Sequence, residues 1–369
     1  MISRNISRRA LSFGGLALAA LGPLALSAGC AGAREAAVRP AGRGRDYAAL
    51  FDFIPEDMER SGVPGLSLAV IEGGEIVHDG AYGVTNSETG APVTRDTLFE
   101  AASLSKPLFA YFVLLQVEKG RLDLDRPLYE YWPHPELVDD PRHTGLTARM
   151  VLAHASGLPN WRSDTGGHLS FLFEPGTRYG YSGEAYEYLK DALKHRLGID
   201  DEGLQALFDA EVAAPIGADF LRYTWDASIP RRKAFGHRDG IPTDNDRHDM
   251  NFGASYSLNT TVLDYARFLT ALIETDGRRS GAVERLLAIQ DNMPAEEGEM
   301  HRSLGFPVKA ARRGLRYYHS GNNGDFRAYC HFYPASGDGI VLFGNSNTVF
   351  SSSLAQRIVE SLGDEWFYV

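Results

Sequence analysis

The apolar positions change their period twice along the chain. Leu50, Phe51, Ile54 and Met58 recur at helical spacing within residues 46–61, which predicts an amphipathic helix. Gly65 to Ile71 is then almost continuously apolar. Gly73-Gly74 and the stretch Glu75 to Tyr82 follow it, which predicts two strands joined by a tight turn. Thr97 to Ala101 leads into a helix whose segment Pro107 to Leu115 is apolar on all sides, the mark of a buried helix. From about Pro107 to Glu284 the patterns are helical and broken by loops. They give a short helix over Leu146 to Ala153, a turn over His154 to Pro159, and amphipathic helices over Ala185 to Leu197 and Thr261 to Glu274. The strand period then returns. Phe326, Ala328, Cys330 and Phe332 alternate with Arg327, Tyr329, His331 and Tyr333, as in a half-buried strand. Pro334 to Gly339 reads as a hairpin loop, Ile340 to Phe343 as its partner strand, and Leu354, Ile358 and Leu362 as a last amphipathic helix stopped by Gly363. Strands at both ends with helices between predict an α/β (α+β) fold. One lobe comes from about residues 46–105 and 290–369, and a mostly helical lobe, about 106–289, is inserted.

Charge narrows the partners. The 369 residues carry a formal net charge of −11, which argues against nucleic acid and anionic membrane surfaces. The start of the chain differs from the rest. Ser7-Arg8-Arg9 precedes an apolar run from Ala10 to Leu26, the pattern of an export signal with a twin-arginine start over residues 1–29. Leu26-Ser27-Ala28-Gly29-Cys30 resembles a lipoprotein box, with Cys30 as the lipid-attachment residue. Residues 30–45, rich in Ala, Gly and Arg, read as a flexible tether. Membrane contact is expected only through that anchor, and the location expected is the bacterial periplasm or cell envelope. With Cys30 lipidated, Cys330 has no cysteine left to pair with.

The candidate chemistry starts at Ser103 and Lys106. Three residues apart, they share one face of a helix. Lys106 is the only charged residue from Leu104 to Val117 and the only one of six lysines with a serine three positions before it. A buried ammonium must be paired, hydrogen-bonded or deprotonated, so this lysine suits proton exchange with the serine. Pro107 falls in the first turn, which places Ser103 at the helix N-terminus, where free N–H groups favour negative charge. Tyr181, in Tyr181-Ser182-Gly183, is a second candidate base, because a lysine ammonium nearby would pull its phenol below about 10. In Tyr317-Tyr318-His319-Ser320-Gly321-Asn322, the small residues Ser320 and Gly321 would form a strand edge that a substrate backbone can approach. The chain has no Gly-x-Ser-x-Gly elbow, no P-loop, no dinucleotide fingerprint and no metal-ligand spacing among its eleven histidines. No cofactor or metal is expected.

Ser103-Leu104-Ser105-Lys106, Tyr181-Ser182-Gly183 and His319-Ser320-Gly321, in this order, resemble the three motifs of the serine β-lactamase and penicillin-binding superfamily. The pattern is closest to class C β-lactamases, D-alanyl-D-alanine carboxypeptidases and related esterases. Glu118 to Asp125, His154 to Pro159 and Pro175-Gly176-Thr177 are similar to that family too. The resemblance implies a β-lactamase/transpeptidase-like fold, an antiparallel sheet flanked by helices, and an acyl-serine intermediate on Ser103. Lys106 and Tyr181 would relay protons, the N–H groups of Ser103 and Asn322 would form the oxyanion hole, and His319, Ser320, Gly321 and Asn322 would bind substrate. Two positions depart from the family. Gly183 replaces an Asn that contacts the substrate amide, and His319 replaces the Lys of Lys-Thr-Gly, which attracts a substrate carboxylate. Histidine titrates near 6.5, so its pull on an anionic substrate is expected to strengthen toward pH 6. The expected substrate is a carboxylic ester or a D-amino-acid peptide, with β-lactams as the alternative. The reading from another class is a degenerate member that binds peptidoglycan fragments or a partner protein without turnover.

Overall fold

The computed structural model describes residues 45–243, 250–273, 280–291 and 300–367. The expected export signal, the tether up to residue 44 and Cys30 lie outside the described residues, as does Glu274.

Eight strands build one antiparallel sheet. The first three are β1 (Gly65–Glu72), β2 (Glu75–Asn86) and β3 (Ala91–Pro92). The other five follow late in the chain: β4 (Met300–Arg302), β5 (Pro307–Ala311), β6 (Gly314–Asn322), β7 (Arg327–Tyr333) and β8 (Asp338–Gly344). Their order in space is β3-β2-β1-β8-β7-β6-β5-β4. The first and last strands are therefore neighbours, paired from Leu66 with Gly344 to Ile71 with Gly339. The helices that matter below are α1 (Ile54–Ser61), α2 (Ser105–Glu118), α3 (Gly183–Leu197), α4 (Val262–Ile273) and α5 (Leu354–Ser361).

Alternation along the strands sends side chains into two cores, one on each face of the sheet. In β1, Ala69 and Ile71 join the core that holds α2, α3 and α4, while Leu66, Leu68 and Val70 join the core closed by α1 and α5. β8 divides in the same way, Val341 and Phe343 against Ile340 and Leu342.

This two-sided burial corrects the half-buried reading of β7, whose residues from Ala328 to Tyr333 are all buried. Three of the four polar alternates, all but Arg327, are buried. Tyr329 packs in the second core, and His331 and Tyr333 contact the Asp364 carboxylate at 3.1 and 2.9 Å. Residues 46–61 also differ from one continuous helix. They form a single turn, Tyr47–Leu50, and then α1. Pro55 has no N–H to give to the preceding turn, and its ring excludes a helical carbonyl four residues back.

α2 starts at Ser105, two residues later than the nucleophile candidate. Ser103 lies instead on a 3-10 turn, Ala102–Leu104. Ala102 sits in the left-handed region at φ +49°, a cost for any residue with a Cβ and a frequent feature of functional sites. The turn is tied from outside. Ser105 Oγ donates to Ala102 O at 2.6 Å and accepts the Leu258 N–H at 3.1 Å, and the Tyr265 phenol donates to Leu104 O at 2.9 Å.

Candidate active site

The first turn of α2 carries Lys106, 1% exposed. Its Nζ donates to Ser255 O at 2.8 Å and lies 3.4 Å from Ser103 Oγ. Ser255 is itself fixed, because its N–H and hydroxyl both donate to Glu187 Oε1, at 2.9 and 2.6 Å. Burial is the dominant influence on the amine and brings it down to about 7, against the opposing pull of the Glu187 carboxylate. At neutral pH a large fraction of Lys106 is therefore the free base.

Tyr181 ends the loop before α3. Ser182 caps that helix, accepting the Ala185 N–H at 2.9 Å and donating to Pro159 O at 2.7 Å. The Tyr181 ring stacks on His154, centroids 4.3 Å apart, and Lys106 Nζ lies 4.7 Å from its centre. The phenol hydrogen-bonds Ser103. His154 Nδ1 accepts the Ser182 N–H at 3.2 Å, and burial holds its ring neutral, well below the usual histidine range. The phenol does not behave as expected from sequence. Burial raises it above its ordinary value, and neither the bond to Ser103 nor the charge of Arg302 offsets this. Tyr181 is a neutral phenol at pH 7, because losing water costs the phenolate more than nearby cations return.

The third side is the end of β6. β5 pairs with β6 only as far as Tyr317, so Ser320 to Asn322 run past its end. Gly321 is where the strand meets the nucleophile turn. A Cβ there would fall 2.6 Å from Ala101 O and 3.1 Å from the Ser103 nitrogen. Asn323 fastens the same end, donating to Glu100 Oε2 at 2.7 Å, and Glu100 is paired with the buried Lys233 at 3.1 Å. His319 is 1% exposed, and its Nδ1 bonds Ser320 O at 2.7 Å. Burial, reinforced by the charge on Lys106, takes it down to about 3. This overturns the expected strengthening toward pH 6, since His319 stays neutral there.

Ser103, Tyr181, His319, Ser320 and Asn322 all open onto one cleft of about 350 Å³, completed by Asn160 and Trp161. Gly321 lies against the Ala101 to Ser103 turn, and Lys106 stands behind Ser103. The structure thus brings the sequence-read site residues together, apart from Cys30, which lies outside the described residues. Sequence reasoning passed over Asn160, Trp161, Ser255 and Glu187. The first two directly follow the His154 to Pro159 turn, which was the available signal. Ser255 and Glu187 gave none, because they act through a backbone carbonyl and a half-buried carboxylate far apart in the chain.

A family model described as Beta-lactamase matches residues 50–362. Relatives include esterase EstB of Burkholderia gladioli, 30% identical over 48% of this chain and 51% of that protein, so the chain matches about half of its length. A beta-lactamase of Yersinia enterocolitica is 24% identical over 79% of this chain and 84% of its own. D-alanyl-D-alanine-carboxypeptidase/endopeptidase AmpH of Escherichia coli is 25% identical over 61% and 62%. Among solved structures, D-alanine carboxypeptidase AmpC of Burkholderia cenocepacia superposes with a TM-score of 0.70 at 23% identity, covering 86% of this chain and all of that one. A class C beta-lactamase mutant gives 0.70 at 20% identity, covering 85% and 97%. The fold is that of β-lactamases and transpeptidases, and the chain belongs to the β-lactamase family of serine hydrolases.

Proposed function

We propose that this protein hydrolyses carboxylic esters through an acyl-serine intermediate on Ser103. The observation that carries the reading is the buried Lys106 amine, 3.4 Å from Ser103 Oγ and brought by burial down to about 7. Lys106 takes the serine proton as Oγ attacks the carbonyl. The developing oxyanion lies at the Ser103 and Asn322 N–H groups. As the tetrahedral adduct collapses, the Tyr181 phenol, bonded to Ser103, passes a proton to the departing alkoxide and is reprotonated by Lys106. Water then attacks the acyl carbon and gives a proton to the same pair, which passes it to Ser103 Oγ as the adduct collapses and the acid leaves. Ser103→Ala should abolish fluorophosphonate labelling and lower ester turnover by at least about 10³-fold with the fold intact. Full labelling of that variant would refute the assignment.

Esters are favoured over β-lactams by the two altered motif positions. Neutral His319 offers an anionic substrate no charge, and Gly183 offers its amide no side chain. An ester needs only the oxyanion hole and a leaving group. Short-chain p-nitrophenyl esters should be turned over, with little or no cephalosporin hydrolysis. Efficient cephalosporin turnover would reverse the order.

We also propose export and lipid anchoring at Cys30, on the strength of the arginine pair and the lipoprotein-like box. Mass spectrometry of the membrane fraction should find an acylated N-terminal Cys30. A chain that retains Met1 would refute it.

A further inference from the structure

The glycine at position 183 has a structural counterpart across the cleft. A Cβ on Gly183 would fall 3.0 Å from Asn160 O, 3.0 Å from Trp161 Cη2 and 3.1 Å from Trp161 Cζ3. Even a methyl at 183 would press on the indole in its present place, and a longer side chain there would compete with it for the same space. The space above the first turn of α3 has passed to the tryptophan.

Trp161 is held on both sides. Asn160 O accepts the Gly183 and Glu184 N–H groups, both at 3.1 Å, and Asn160 Oδ1 accepts the Gly183 N–H at 3.0 Å. Arg162 forms a two-pronged pair with Glu184 at 3.1 and 2.8 Å and reaches Glu136 at 2.7 Å. The Trp161 N–H itself donates to Asp164 Oδ2 at 3.1 Å. The backbone is thus fastened to α3 before and after the indole, yet the residue remains 38% exposed. It lines the same cleft as Ser103 and meets Tyr256 nearly edge-on, centroids 5.8 Å apart at 75°. Folding alone gains little from such placement, since much of the indole's apolar surface is left in water. A rigid, wetted aromatic face beside a nucleophile is instead ready to gain from a ligand that covers it.

The lining of the cleft selects the ligand. Ser103, Asn160, Trp161, Tyr181, Ser320 and Asn322 carry no charge at neutral pH, and neither does His319. A cationic group would find no counter-charge among these residues, and an anionic one no cation among them, Lys106 standing behind Ser103 with its amine brought down to about 7. A flat, uncharged, apolar group gains both burial and stacking. We propose that Trp161 is the specificity platform of the site and stacks an aryl group of an uncharged ester substrate. The proposal rests on the hydrolase reading above.

The test compares kcat/KM for ethyl phenylacetate against ethyl acetate, and for benzyl acetate against ethyl acetate, by proton release. The two pairs place the aryl group on the acyl or the alcohol side. At least one ratio should reach roughly tenfold in the unmodified protein. Trp161→Ala should bring it to within about twofold of unity, and Trp161→Phe, which keeps a ring, should retain most of it. Gly183→Ala should lower it as well, though less than Trp161→Ala, because the new methyl at 3.0 Å pushes the indole off its present position. Alkyl esters hydrolysed with no aryl preference, or a preference that survives Trp161→Ala, would overturn the platform alone. If no ester of either series is hydrolysed and fluorophosphonate fails to label Ser103, the hydrolase reading falls and the platform with it.

Discussion

Lys106 gains its reactivity from the same burial that costs the fold stability. Its amine titrates near 7 in the folded protein and near 10.5 in the unfolded chain. Between these values the unfolded state binds more protons, so stability rises with pH across that window and carries the full cost below it. Lys106→Met removes the cost but leaves the Ser255 carbonyl without its donor, so a net gain on the order of 1–3 kcal/mol is expected at pH 7. Urea titrations at pH 7 and 9 would show this as a higher midpoint and a flatter pH dependence, together with lost turnover. A lower midpoint at pH 7 would contradict the account. The same amine sets the acid limb of catalysis. Ester kcat/KM should fall about tenfold per pH unit below an apparent value near 7, and a limb displaced above the ordinary phenol range would indicate Tyr181 as the base instead. At His319 the missing element is charge. His319→Lys should tighten inhibition by an anionic β-lactam roughly tenfold at pH 7, whereas acidifying the unmodified protein to pH 6 should change nothing through this residue.

Among the elements, β6 and the turn before α2 are fitted to each other at Gly321. Gly321→Ala puts a methyl 2.6 Å from the Ala101 carbonyl, and the strand must withdraw from the Ser103 N–H to relieve it. Overpacking of this kind costs about 1–3 kcal/mol. The drop in kcat should exceed what the loss of stability explains, because the oxyanion site widens. Equal kcat in the variant would show that the contact does not shape the site. The sequence made the elements legible where one period ran uninterrupted: α3, α4, β1 and β8 all fall within a few residues of their expected bounds. It failed where a distant element decides the outcome. Tyr329, His331 and Tyr333 look solvent-facing by alternation and are buried by Asp364 and the chain around α5. The protonation of Tyr181 at pH 7 and the behaviour of His319 toward pH 6 depart from the sequence reading for a related reason. Neighbouring charges can be guessed from motifs, but the loss of water that outweighs them depends on the assembled cleft. The Asn160-Trp161 wall was hidden because its meaning lies in a contact with Gly183, not in a motif of its own.

At the scale of the molecule, the central sheet is shared by both cores, so neither core is independent of the other. Ile358, fully buried on α5, lies across the sheet from the core that holds α2. Ile358→Ala should cost about 2–5 kcal/mol and shift ester hydrolysis and far-UV circular dichroism to the same lower urea midpoint. Separate transitions for the two signals would mean that the catalytic side stands alone. The pairing of β1 with β8 has a temporal consequence as well. A chain leaving the ribosome can form the β1–β2 hairpin early, but β1 waits for its other neighbour until residues 338–344 have been made. Such non-local pairing slows folding, and the nucleophile turn meets Gly321 only once β6 has been made. Messages truncated before β8 should therefore yield inert fragments, not weak enzymes, and hydrolysis should appear during translation only after residues 338–344 have been made.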